Sequence, residues 1–196
     1  MRLLVATTNP DKLIEIRGIL ADLPVTIESL EQFPDAVEAV EDGVTFAENA
    51  RKKATHYARL TTHLTVAEDS GLEIAALDGA PGVLSARFNG SSYPEKFEAI
   101  NTQLASRGVA DSAARFVCAL AVSNGPEIVF EATGFIEGRI VPQPAGAGGF
   151  GYDPIFFYPP YGCTLAEVPA EKKAAVSHRG RAFRELRQFL QTGTDL

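Results

Sequence analysis

Glu68-Asp69-Ser70-Gly71 interrupts a stretch that is otherwise apolar, with Leu64-Thr-Val-Ala67 before it and Leu72-Glu-Ile-Ala-Ala76 after it. Two carboxylates and a hydroxyl are poor core material but useful chemistry. Hard cations such as Mg²⁺ are held by one or two carboxylates together with the oxygens of a substrate phosphate. The Asp, Ser and Gly favour a sharp turn between two strands. Such a site needs a second element that grips phosphate, and Thr7-Thr-Asn-Pro-Asp-Lys12 offers one. The apolar run before it reads as a strand over residues 2–8. Asn9 then reads as a helix cap, with Pro10 in the first turn where its missing N–H costs nothing. Unpaired N–H groups at a helix start bind anions, and Lys12 adds a full charge. A plain helix cap with a solvated lysine would use the same residues, and the segment by itself leaves both readings open.

Other cations and acids recur near helix starts. Thr45-Phe-Ala-Glu48 has the form of a capping box and opens a helix to about Thr61. Lys53 lies eight residues after Thr45, on nearly the same face, within the charge run Arg51-Lys52-Lys53. Glu41-Asp42 precede that helix, where acids are also common for dipole reasons alone. Lys172-Lys173 and Ser177-His178-Arg179-Gly180 again place cations beside a helix start. His56 and His63 have no acidic or cysteine neighbour at ligand spacing and read as solvated. Gly146-Ala-Gly-Gly-Phe-Gly151 has the spacing of a dinucleotide fingerprint, but it runs into Tyr152-Asp153-Pro154 and a strand-like stretch instead of opening a helix. It does present Phe150 between glycines, either as a ring on which a flat base could stack or as a core residue. No P-loop pattern is present.

The elements that must position these groups follow from periodicity. Leu13, Ile16 and Leu20 give a helix to about residue 22, and residues 25–30 alternate as a strand. A Gly/Pro loop follows at 78–82. Pro94 opens a helix with Phe97, Ile100 and Leu104 on one face. Residues 114–123 and 127–137 flank Asn124-Gly125-Pro126 as a hairpin. Ser177 precedes a last helix carrying Phe183, Leu186 and Leu190. A length of 196 residues with no repeat or linker reads as one α/β domain, 1–196, with a mixed sheet. The net charge of -7 argues against a general nucleic-acid binder. No window approaches a membrane span, and a cytoplasmic protein is the expectation. Cys118, inside the run Phe116-Val-Cys-Ala-Leu120, reads as a buried, inert thiol.

Taken together these motifs resemble the inosine triphosphate pyrophosphatase family, which hydrolyses non-standard purine nucleoside triphosphates. The resemblance runs through Ala6 to Lys12, Glu41 to Ala50, Ala67 to Gly71, Gly79 to Gly82, Ser85 to Arg87, Gly148 to Phe157 and Ser177 to Gly180. It implies an elongated α/β fold, a long mixed sheet flanked by helices, and two lobes with the substrate in a cleft. By the same resemblance Thr7, Thr8, Asn9, Pro10, Asp11 and Lys12 hold the triphosphate with Lys53 beside them. Glu41 and Asp69 are the Mg²⁺ carboxylates, and Asp69 is also the proton acceptor. Ser70 contacts the nucleotide, Phe150 stacks on the base, and Gly151, Tyr152 and Asp153 line its edge. Lys173, His178 and Arg179 close the pocket. Family members often carry Asp-Asp where this chain has Glu68-Asp69, and a glutamate pair where it has Val40-Glu41.

The implied partners are a purine nucleoside triphosphate and Mg²⁺, with no nucleic acid or membrane, and the implied assembly is a homodimer. The implied reaction is attack at the α-phosphorus, giving a nucleoside monophosphate and pyrophosphate. Two other readings use parts of the same pattern: a Maf-like pyrophosphatase acting on pyrimidine or modified nucleotides, and a non-catalytic nucleotide sensor. Two acids beside a polyanion weigh against the sensor, and His178-Arg179 with Phe150-Gly-Tyr-Asp153 favour the purine reading.

Overall fold

A computed structural model describes residues 1–192; residues 193–196 of the expected domain lie outside the described residues. The strands are β1 (Arg2–Val5), β2 (Thr26–Ser29), β3 (Leu64–Ile74), β4 (Ser112–Asn124), β5 (Glu127–Ile140), β6 (Phe156–Tyr158) and β7 (Cys163–Thr164). They form a seven-stranded sheet in the order β2-β1-β3-β4-β5-β6-β7. β1 runs parallel to both β2 and β3, while β5, β6 and β7 pair antiparallel. β4 and β5 are joined through Gly125-Pro126, a connection that only antiparallel neighbours can use. The helices are α1 (Pro10–Leu20), α2 (Phe46–Tyr57), α3 (Tyr93–Ser106), α4 (Ala170–Val176) and α5 (His178–Thr192). This is the α/β fold with a mixed sheet that the sequence pattern predicts, flanked by helices as the family resemblance implies.

The described residues gather into two compact units. The first holds Met1–Asp69, Cys118–Gly134 and the chain from His178 on; the second holds Ser70–Val117 and Phe135–Ser177. In the first, strand alternation sorts the core onto two faces. Leu3, Val5, Leu64, Val66, Cys118, Leu120 and Val122 pack with Leu13, Ile16 and Leu20 of α1 and Phe183 and Leu186 of α5. Leu4, Ala6, Ala67 and Ala121 point the other way, onto Ala50, Ala54 and Tyr57 of α2. The small side chains on that second face let α2 approach closely. The second unit has its own core, in which Leu72, Ile74, Phe116, Ile136 and Phe156 meet Phe97, Ile100 and Leu104 of α3. Burying each such side chain contributes roughly 1.5–3 kcal/mol.

Helix starts follow their local chemistry. Asn9 caps α1 by accepting from the Lys12 N–H, with Pro10 at the first position. Thr45 caps α2 by accepting from Glu48, and Ser92 caps α3 in a full capping box with Glu95.

Four expectations are corrected. β1 stops at Val5, so residues 6–8 leave the strand before the helix begins. The Glu68–Gly71 segment is no turn, because β3 is one continuous strand from Leu64 to Ile74. Lys172 and Lys173, expected beside a helix start, lie inside a separate short helix, α4, that precedes α5. The stretch at 154–157 is split, with Asp153–Ile155 in a single 3₁₀ turn before β6.

Candidate active site

β3 extends beyond β1, whose last residue Val5 pairs with Val66. Glu68 and Asp69 therefore emerge where β1 has ended and the Thr7–Lys12 segment begins. Being successive strand residues they point to opposite faces. That single fact divides their chemistry.

Glu68 points with Val66 toward the α1 and α5 side, where it is buried among cations. Its Oε1 accepts Lys12 Nζ at 2.8 Å and Arg179 at 3.2 Å. Its Oε2 lies 3.5 Å from the Cys118 thiol. Arg179, itself buried, reaches on to Glu15 at 2.7 Å. Burial alone would raise the Glu68 carboxyl, but Lys12, Arg179 and Lys53 hold it well below the usual carboxylate range. Burial pushes the Cys118 thiol well up, and the Glu68 charge adds to that, so it is the inert thiol expected.

Asp69 points with Ala67 toward α2. Asn49 donates to its Oδ2 at 2.9 Å. Burial raises the Asp69 carboxyl above its ordinary value; Asn49 and Lys53 oppose that, while the nearby Glu68 and Glu41 charges reinforce it. Lys53, one turn beyond Asn49 on α2, lies 3.4 Å from Glu41 and donates to the Glu68 carbonyl at 3.0 Å. Lys52 turns outward to Asp42. Among the described residues no three His, Cys, Asp or Glu side chains converge as a full metal cage. Glu41 and Asp69 are near enough for their charges to act on each other, and a pair of carboxylates is the donor type that suits a hard cation.

The Thr7–Lys12 segment is held by its own side chains. Thr7 Oγ1 accepts the Asn9 N–H at 3.2 Å and Asn9 Oδ1 accepts the Lys12 N–H at 3.1 Å. Thr8, Pro10 and Asp11 are exposed beside them. The first unit thus gathers Lys12, Lys53, Glu41, Asp69 and Arg179, and places His178, buried, at the start of α5.

The remaining predicted residues belong to the second unit. Phe150 is half-buried, and Lys173 Nζ sits 4.5 Å from its ring centroid. Asp153, buried, accepts the Phe150 N–H at 2.8 Å and pairs with the buried Lys173. Gly149, at φ +65°, has no room for a side chain, since a Cβ there would lie 2.1 Å from Asp153 Oδ2. Gly151 is half-buried beside Tyr152, whose hydroxyl donates to the Ser85 carbonyl at 2.8 Å. Ser70 is half-buried on β3 as the second unit begins.

Sequence reasoning missed Glu15 and Asn49 as members of the cluster, and it offered Glu68 as a carboxylate for a cation where the structure makes it the counter-ion of Lys12 and Arg179. Asn49 carried a signal, being one helical turn before Lys53 and so on the same face. Glu15 and the pairing of Glu68 carried none, because their partner Arg179 is remote in sequence. His56 is not solvated as expected: its Nε2 bonds the Val37 carbonyl at 2.7 Å.

A capped helix start beside a strand end, a cluster of lysine, arginine and carboxylate side chains next to it, and a glycine-flanked aromatic are groups an α/β protein would use to meet a nucleotide polyanion. The chain belongs to the Ham1 family, whose model matches residues 3–189. It is 48% identical over 189 residues to a dITP/XTP pyrophosphatase of Exiguobacterium sp., covering 95% of each chain. It is 47% identical over 193 residues to a dITP/XTP pyrophosphatase of Geobacter sulfurreducens, covering 96% of each. The solved structure of a HAM1 protein from Coxiella burnetii matches with a TM-score of 0.90 at 36% identity, covering 97% of this chain and 98% of that one.

Proposed function

We propose that this protein is a Mg²⁺-dependent pyrophosphohydrolase that converts non-standard purine nucleoside triphosphates, dITP, XTP and ITP, to the monophosphate and pyrophosphate. The observation that carries this reading is the cluster at the C-terminal end of β1, where Lys12 and Lys53 hold Glu68 by its side chain and its carbonyl, with Asp69 next along the strand and a capped helix start alongside. The relatives named dITP/XTP pyrophosphatase support it.

The charge balance of the cluster supports a divalent ion. Three cations, Lys12, Lys53 and Arg179, face four carboxylates, Glu15, Glu41, Glu68 and Asp69. A triphosphate carrying close to four negative charges gains little from a set that is already net negative. Glu41 and Asp69 would hold the ion, and when bound it would supply the missing positive charge and polarise the phosphate oxygens. Lys12 and the N–H groups at the start of α1 would bind the phosphate chain. Lys53 would neutralise charge that builds up as the bond to pyrophosphate breaks. Asp69, its carboxyl raised by burial, is suited to accept the proton of an attacking water at the α-phosphorus. Phe150 would present its ring to the base. The family resemblance adds a cytoplasmic homodimer, which sedimentation of the purified protein and fractionation of cells would test.

The deciding experiment is a panel of nucleoside triphosphates assayed for pyrophosphate and for phosphate release, with and without Mg²⁺. Pyrophosphate should appear only with Mg²⁺. Inosine, deoxyinosine and xanthosine triphosphates should exceed adenosine triphosphate by at least about a hundredfold in kcat/KM, the scale reached when a site's polar groups are left mispaired. Release of phosphate alone, or no turnover of any member, would overturn the reading.

A further inference from the structure

We propose that Asn49 is the positioning residue that fixes the Glu41 loop against Asp69, and so sets the spacing of the two carboxylates assigned above to the divalent ion; the proposal rests on that assignment. Asn49 is only 2% exposed, and its two polar atoms serve two different segments. Oδ1 accepts the Gly43 N–H at 2.8 Å, two residues after Glu41. Nδ2 donates to Asp69 Oδ2 at 2.9 Å. One planar amide therefore spans from the loop to β3.

The loop needs such a fixture. Residues 38–43 have no regular structure, and although Ala39 enters the core beside α2, Val37, Val40 and Val44 are exposed, so burial does not set the path of the stretch that carries Glu41 and Gly43. One face of α2 pins it instead. His56 holds the Val37 carbonyl, the Tyr57 hydroxyl accepts the Ala39 N–H at 3.2 Å, and Asn49 takes Gly43. Tyr57 also packs beside Ala67, but Asn49 is the one whose side chain goes on to hydrogen-bond the Asp69 carboxylate. The approach requires a glycine, since a Cβ at position 43 would lie 2.6 Å from Asn49 Oδ1.

Lys53 ties the same two segments by charge. An ion arriving at Glu41 competes with that tie. Asn49 grips the loop by its backbone, so its hold persists when the Glu41 carboxylate changes partner. Groups that orient a metal ligand in this way typically govern 10- to 100-fold in metal affinity or activity.

The test measures Mg²⁺ binding by calorimetry without nucleotide, and the Mg²⁺ concentration giving half the maximal rate, for the parent protein, Asn49→Ala, Gly43→Ala and the double variant. Each single variant should weaken Mg²⁺ at least about tenfold. The double variant should be no weaker than the worse single, because both cut one link. Mg²⁺ binding within about twofold of the parent in both singles, or losses that add in the double, would overturn the proposal. If Asn49→Ala fails to fold, Gly43→Ala carries the test, since it strains the loop while keeping the amide on Asp69. Glu41→Gln and Asp69→Asn serve as controls. If both bind Mg²⁺ as the parent does, the carboxylate assignment itself fails. If both lose it while Asn49→Ala and Gly43→Ala do not, only the role of Asn49 falls.

Discussion

Lys12 Nζ lies 2.8 Å from Oε1 of Glu68, an oxygen that also takes the Arg179 guanidinium at 3.2 Å. The lysine offered to a phosphate chain is therefore aimed by a carboxylate that is buried on the far side of the strand from Asp69. Glu68 compensates one wholly buried cation and one that is half-buried at the site. Its neighbour in sequence does the opposite work, carrying a raised carboxyl toward α2.

Glu68→Gln should destabilise the fold by about 3 kcal/mol, the cost of leaving buried charge uncompensated. Its effect should also depend on pH. The folded carboxyl is harder to protonate than the unfolded one, so its stabilising contribution is complete above the ordinary range near about 4.3 and is lost as the pH falls from there toward the lowered folded value. Urea unfolding of both proteins at pH 7 and at pH 4 should show the gap between them narrowing in acid. A gap that is constant or widens would remove the buried ion pairs from the account of stability.

Asp69→Asn should lower turnover by at least about 10²-fold, the usual cost of losing a general base, with the ion's ligand lost as well. Melting should change little or rise, because burial already disfavours the charge. Turnover and thermal melting measured on the same preparation separate the two effects. A variant with more than a tenth of the parent rate would exclude Asp69 as the base.

For Lys12→Ala, kcat/KM toward a triphosphate should fall by at least about tenfold, since a charge-assisted bond contributes roughly 1.5–3 kcal/mol. The same substitution leaves Glu68 with Arg179 and the more distant Lys53 charge, so stability should fall too. Adding Glu68→Gln to Lys12→Ala should recover some stability without recovering kcat/KM. Recovery of both would mean that the lysine serves the fold and not the phosphate.

Phe150→Ala should weaken every purine triphosphate alike, by the roughly 1–3 kcal/mol that base stacking on an aromatic is worth. Mg²⁺ dependence should stay unchanged, since Phe150 and its partner Lys173 belong to the second unit and the carboxylates to the first. Steady-state kinetics with inosine and xanthosine triphosphates, each across a Mg²⁺ series, would show it. A shifted Mg²⁺ requirement would place the ring elsewhere in the mechanism.

The helices capped by Asn9, Thr45 and Ser92, the β4–β5 hairpin and the alternating core strands were all legible, because caps, turns and periodicity are written within a few residues of each other. The Glu68–Gly71 segment shows where that stops. Its composition is that of a turn, and local preference would bend it. Burial of Glu68 between Lys12 and Arg179, and the Asn49 bond to Asp69, hold it as extended strand instead. Those partners come from α1, α2 and α5, and nothing local to residue 68 announces them.

The sequence by itself determined most of the helices and strands, the mixed α/β class, the inert Cys118 and the list of groups able to meet a polyanion and a hard cation. Each of these depends on residue type and short spacing. Tertiary structure decided which groups act together. The pleat of β3 sent Glu68 to one face and Asp69 to the other, and packing of α2 placed Asn49 and Lys53 against the second. Packing of α5 buried Arg179 beside Glu68 and Glu15. Charge acts through space, so whether a carboxyl is held down as a counter-ion or raised as a base depends on neighbours that only the folded chain assembles.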